Sequence, residues 1–156
     1  MSFIGLDLSQ KGLSLYTVPA ALLMAMLPNL YAVTSSGTLY DLCYPRKLQN
    51  SVADDDKLDK IAKARILRAK AASDNAFETL GIYSAAVVAA NVAGVNTRTL
   101  NVLTLGYVGC RVLYNVIYIR LQDNRNFSPL RSIVWFTSIG ITVALYLKAA
   151  AQLASA

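Results

Sequence analysis

The chain has 156 residues, 55% of them hydrophobic and 15% charged, against about 45–50% apolar and about 25% charged in an ordinary soluble domain. It has no histidine and only two cysteines, Cys43 and Cys110. That excludes a Ser-His-Asp triad, a Cys-His dyad, a histidine base, a disulfide framework and a cysteine- or histidine-rich metal site. Fifteen basic against nine acidic residues leave a net charge of +6 that any reading has to place.

Four apolar stretches organise the chain, and a bilayer-crossing helix needs about 20 residues at about 1.5 Å each. The first, Leu13 to Val33, carries no charge. It exceeds the roughly 7–15 residues of a signal-peptide core, and no small-residue cleavage site follows, so it reads as a span kinked at Pro28. The second, Asn75 to Val95, holds one charge, Glu78; the third, Leu100 to Leu121, holds Arg111 and Arg120. The fourth, Ile133 to Leu147, reaches crossing length as Leu130 to Leu153 if Lys148 snorkels to the interface. Spans are therefore expected near 13–36, 72–95, 99–121 and 130–150 of a single domain covering 1–156. A soluble bundle of four such helices would have too little polar surface.

Between the first two stretches, Asp41 to Lys70 holds eight basic residues, and the third connection adds Arg120, Arg125 and Arg131. The positive-inside rule puts both connections in the cytosol and both termini on the other side. The basic excess then needs no nucleic-acid partner. Asp54-Asp55-Asp56 ahead of Lys57, Lys60 and Lys63 predicts a helical extension with Asp56–Lys60 and Asp59–Lys63 pairs.

Polar residues recur at helical spacing near the cytosolic ends of three spans: Arg68, Asn75 and Glu78; Arg111, Tyr114, Asn115 and Tyr118; Arg131, Trp135, Ser138 and Thr142, with Ser132 beside them. A charge deep in a span costs roughly 2.5–3.5 kcal/mol on insertion scales, so these call for a reason. A structural reason is neutralisation of Glu78 by Arg111, with Asn75 as interhelical glue and Trp135 and Tyr118 as interfacial aromatics. Arg125 fits a plain positive-inside residue, and Cys110 a small buried hydrophobe. A functional reason is an anion site, in which arginines with Tyr and Asn donors bind carboxylates and favour a thiolate over a thiol.

These residues resemble the MAPEG family, the membrane-associated proteins of eicosanoid and glutathione metabolism. Arg68-Ala-Lys-Ala-Ala-Ser-Asp-Asn75-Ala-Phe-Glu78 is similar to the family's second-helix signature, and Arg111-Val-Leu-Tyr114-Asn115-Val-Ile-Tyr118 to its third. Leu130-Arg131-Ser132-Ile-Val-Trp135 resembles the start of the fourth helix, and Tyr40-Asp41 with Pro45-Arg46 the subgroup common in fungi and bacteria. The resemblance runs from about Leu13 to Leu147.

What it implies is an all-α, integral membrane four-helix up-and-down bundle, assembled as a homotrimer with glutathione between subunits near the cytosolic face. By position, Arg68, Asn75, Glu78, Tyr114, Tyr118 and Arg131 would contact glutathione, and Arg111 would organise the site. Arg131 and Ser132 would stabilise the thiolate, with Arg125 the alternative cation. The implied activity is a microsomal glutathione transferase or peroxidase, joining glutathione to a hydrophobic electrophile from the bilayer, in the endoplasmic reticulum of a eukaryote. Asp74 stands where the prostaglandin-synthase branch has an arginine, Tyr114 where it has a histidine, and Trp135 where it has a tyrosine. The alternatives are a non-catalytic lipid-binding or scaffold protein of the same family, and a small transporter or channel subunit with Glu78 and Arg111 along its path.

Overall fold

The structure, a computed structural model, describes residues 7–155; the outermost residues of the expected 1–156 domain lie outside that range. Five helices follow in chain order: α1 (Leu13–Ser36), α2 (Leu48–Asp54), α3 (Lys60–Val92), α4 (Thr97–Ile119) and α5 (Ser128–Ala154). The described residues hold no strand. The long helices α1, α3, α4 and α5 form the bundle; α1 packs most extensively on α3 and α4 on α5, with α3 also touching α4 and α5.

Local chemistry sets the boundaries. Asp59 caps α3, accepting hydrogen bonds from the backbone N–H groups of Ile61 and Ala62, both at 3.0 Å. The helix therefore starts at Lys60, and the Asp54-Asp55-Asp56 run lies before it. The expected helical extension into the second span is present from Lys60 onward, but its two expected pairs do not form among the described residues: Asp56 lies before the helix, and Lys63 donates to the backbone carbonyl of Asp55 at 2.9 Å instead of pairing with Asp59. At its other end α3 closes on Gly94, whose φ of 73° is the left-handed conformation glycine adopts without strain. The N–H groups of Gly94 and Val95 return to the carbonyls of Asn91 and Ala90, and Asn96 then caps α4 through the Thr99 N–H. The turn is thus only a few residues long, which forces α3 and α4 to run antiparallel.

The contact between α1 and α3 is built largely from small residues. Ala21, Ala25 and Ala32 of α1 face Ala69, Ala72, Ala76, Ala86 and Ala90 of α3, all buried. Large apolar side chains point outward instead, among them Leu23, Met26, Leu30, Phe77, Leu113, Ile133 and Phe136. Small residues inside let backbones approach closely, and large apolar ones outside are what a lipid solvent favours. Three helical segments, Leu13–Leu39, Thr97–Asp123 and Arg125–Ala154, are long and apolar enough to cross a membrane. The expected second span, 72–95, falls on the C-terminal part of α3, which ends at Val92; the helix begins at Lys60 and carries Lys63, Arg65, Arg68, Lys70, Asp74 and Glu78 over the stretch from Lys60 to Glu78.

Two buried polar devices hold the bundle. At the α3–α4 turn end, Asn101 is fully buried; its Oδ1 accepts from the Ser14 N–H at 3.0 Å, and its Nδ2 donates to the carbonyls of Leu8 and Gln10. One side chain thereby fastens the start of α1 to α4. Pro28, inside α1, cannot donate to the Met24 carbonyl, and Asn115 Nδ2 takes that role from α4 at 2.9 Å. Midway between these, the Tyr83 and Tyr107 rings stack at 3.6 Å between centroids, and the Tyr83 hydroxyl lies 2.6 Å from Thr17 Oγ1.

Candidate functional site

At the end of the bundle that carries the α4–α5 connection, α3, α4 and α5 enclose a cleft of about 430 Å³. Its lining is Ala71 and Asn75 from α3, Tyr114 and Tyr118 from α4, and Arg131, Ser132, Trp135 and Phe136 from α5. Each helix contributes residues at helical spacing: Ala71 and Asn75 are four apart, as are Tyr114 and Tyr118 and also Arg131 and Trp135. Pro129 in the first turn of α5, where a missing N–H costs nothing, starts that helix just ahead of Arg131.

The side chains interlock. Arg111, 2% exposed, lies behind the lining and donates from both Nη atoms to Asn75 Oδ1 at 3.2 Å. This orients the Asn75 amide with its NH₂ free for other partners. The Arg111 guanidinium also sits 4.9 Å from the Tyr114 ring, and Tyr114 meets Tyr118 edge to face at 5.6 Å. Arg131 lies over the Tyr118 ring at 4.7 Å. Two guanidiniums therefore border a cleft whose lining, among the described residues, holds no carboxylate. Trp135 Nε1 is buried without a hydrogen-bond partner among the described residues.

The sequence-predicted residues divide. Asn75, Tyr114, Tyr118, Arg131 and Ser132 line one cleft, and Arg111 supports it from behind. Glu78 is exposed and outside the lining, and no Glu78–Arg111 ion pair forms among the described residues; Arg111 bonds neutral Asn75 instead. Arg68 stays outside the lining too: with Arg65 it grips the carboxylate of Asp123 in the α4–α5 connection, Arg65 Nε donating at 2.9 Å. Arg125 is exposed in the 3₁₀ turn Arg125–Phe127 and is not part of the cleft. Asp74 pairs with Lys70 one turn earlier, so its charge is met locally. Asn115 turns to α1 and leaves the Tyr114–Tyr118 face. Ala71 and Phe136 were not singled out in the sequence; Ala71 lies one turn before Asn75 on the same face, the one signal that pointed to it.

The Arg65–Asp123–Arg68 cluster ties α3 to the connection that leads into Arg131. Both arginines hold the Asp123 carboxyl below the ordinary carboxylate range, through hydrogen bonds first and charge second. A depressed folded-state pKa gives stability that is present above the ordinary carboxyl value of about 3.9 and is lost as pH falls through the depressed one. Asp123→Asn is expected to remove that acid-side loss, which thermal melts across pH 2–6 (roughly the carboxyl range) would register as a flatter profile than wild type.

The chain is a helical bundle with three helices fit to cross a membrane and a cationic, aromatic-walled cleft at one end. The profile of the MAPEG family matches residues 13–151, nearly its whole length, and the chain belongs to that family. No curated protein and no solved structure matches it. Members of the family commonly use glutathione.

Proposed function

We propose that the chain is a membrane-bound glutathione transferase or peroxidase, a four-span protein working as a homotrimer. The observation that carries this reading is the meeting of Asn75, Tyr114, Tyr118, Arg131 and Ser132 in one cleft with no carboxylate in its lining among the described residues. Glutathione is a small peptide with two carboxylates, an ammonium group and a thiol. Its carboxylates suit the Arg111–Asn75 pair and the tyrosine hydroxyls, and Glu78 one turn along α3 suits its ammonium group. Arg68 reaches a carboxylate only by sharing itself with Asp123.

Arg131 and Ser132 stabilise the thiolate, by charge and by hydroxyl donation, and the thiol proton leaves to water at the open mouth of the cleft. The thiolate sulfur then forms a bond to an electrophilic carbon as a leaving group such as halide departs to water, or to the outer oxygen of a hydroperoxide, whose O–O bond breaks to release an alcohol protonated by water. In the second case another glutathione then reduces the resulting sulfenic acid, giving glutathione disulfide and water. No general base is required, because a free thiol near pKa 8.5 needs only a modest shift to ionise at neutral pH. Rate comes from thiolate concentration and proximity. The apolar outer faces of α1 and α5 suit both a bilayer, from which a hydrophobic electrophile arrives, and neighbouring subunits; an endoplasmic-reticulum location follows from the same reading in a eukaryote.

Calorimetric titration of the detergent-purified protein with glutathione and with S-methylglutathione tests this. Glutathione is expected to bind, and to bind several-fold more tightly than the S-methyl compound, which cannot ionise. No heat from either ligand would remove the reading.

A further inference from the structure

A second concavity, separate from the cleft, runs between α1 and α4 on an adjacent face of α4. Its walls are apolar, from Met24, Leu27 and Tyr31 of α1 and Val112 and Val116 of α4, enclosing about 310 Å³ beside Pro28. Two polar features break this wall. Asn115 spends its Nδ2 on the Met24 carbonyl, and its Oδ1 is buried with no hydrogen-bond partner among the described residues. Arg120, at the end of α4, lies over the Tyr31 ring at 5.3 Å and forms no ion pair among the described residues. Asp123, the one acid in the 120–127 connection, is already held by Arg65 and Arg68.

The groove thus offers an apolar trough, an acceptor partway along it and a free cation at its mouth, beside the most basic end of the molecule. We propose that it holds a single-chain anionic lipid of the lysophosphatidate type. The acyl chain lies along the trough, the free glycerol hydroxyl donates to Asn115 Oδ1, and the phosphate meets Arg120. The hydroxyl is what the unpartnered acceptor selects. In a diacyl phospholipid both glycerol oxygens of the backbone are esters, so nothing below the phosphate can donate. A choline headgroup would bring a cation towards Arg120 and lose the charge complementarity. Asn115 and Arg120 are five residues apart, about 7.5 Å along the helix, and the flexible Arg120 side chain closes the distance to a phosphate a few bonds from the hydroxyl.

Native mass spectrometry of the full chain in detergent, titrated with four lipids, tests this independently of glutathione. The lipids are 1-oleoyl lysophosphatidate, its 2-O-methyl ether, 1-oleoyl lysophosphatidylcholine and dioleoyl phosphatidate. The first is expected to bind about tenfold more tightly than each of the others, equivalent to about 1.4 kcal/mol. Arg120→Gln, at an exposed position, is expected to erase the preference for lysophosphatidate over lysophosphatidylcholine while leaving glutathione binding unchanged. Equal binding of the ether and the free hydroxyl, equally tight binding of the diacyl lipid, or an unchanged preference in Arg120→Gln would overturn the assignment.

Discussion

Arg131→Ala is expected to lower the rate of glutathione conjugation by at least about a hundredfold, the scale on which losing one preorganised charge-stabilising group is felt. Among the described residues Arg131 is the one guanidinium in the cleft lining; Arg111 lies behind it, committed to Asn75 and Tyr114. Without Arg131 the sulfur loses its nearest positive charge, and the tyrosines and Asn75 still bind glutathione but as the thiol. The loss should therefore fall on kcat more than on KM, because a group that stabilises the thiolate matters to the reacting form most. Arg131→Lys keeps a charge but not the stacked, planar arrangement over Tyr118, and should recover only part of the rate. The side chain is partly exposed and forms no ion pair among the described residues, so both variants should melt like wild type. Conjugation of a small aryl halide, followed by absorbance, gives the rates.

Asn101→Leu is expected to cost the largest stability of any single substitution in the buried polar network, about 2–3 kcal/mol for three hydrogen bonds at about 1 kcal/mol each. The change keeps the branching and the number of side-chain heavy atoms but leaves the Ser14 N–H, at a fully buried residue, without its acceptor and releases the Leu8 and Gln10 carbonyls. The first turn of α1 should then separate from α4 before the rest of the bundle opens. Thermal unfolding in detergent measures the loss, and hydrogen exchange at residues 13–17 locates it. An unchanged melting temperature would mean that water replaces Asn101 without cost.

The four long helices and their order were legible because hydropathy and length need no tertiary context, whereas the short α2 was not. Whatever depended on the level of a residue along its helix was less so. Arg68 shares a face with Asn75, since seven residues make nearly two turns, but it lies about 10 Å farther along the axis. At that height the α4–α5 connection offers it Asp123, a partner that no spacing rule could reveal because the path of residues 120–127 decides it. Asn115 shows the angular limit of the same reasoning. It stands four residues from Arg111, about 40° round the helix, enough to turn it from the cleft to the carbonyl that Pro28 leaves free on α1. The Glu78–Arg111 pair failed for a third reason: Asn75, one turn from Glu78, already occupies the guanidinium. That Arg131, Ser132, Tyr114 and Tyr118 meet in one cleft was legible because each lies within two turns of the same end of the bundle, where face and level coincide.

The most direct test of the account is the ionisation of bound glutathione, followed by the ultraviolet absorbance of its thiolate as pH is raised in the presence of the protein. A cleft that stabilises the thiolate through Arg131 and Ser132 predicts half-ionisation well below the free thiol value of about 8.5, moving back towards it in Arg131→Ala. Bound glutathione that ionises at the free value in the wild-type protein would contradict it.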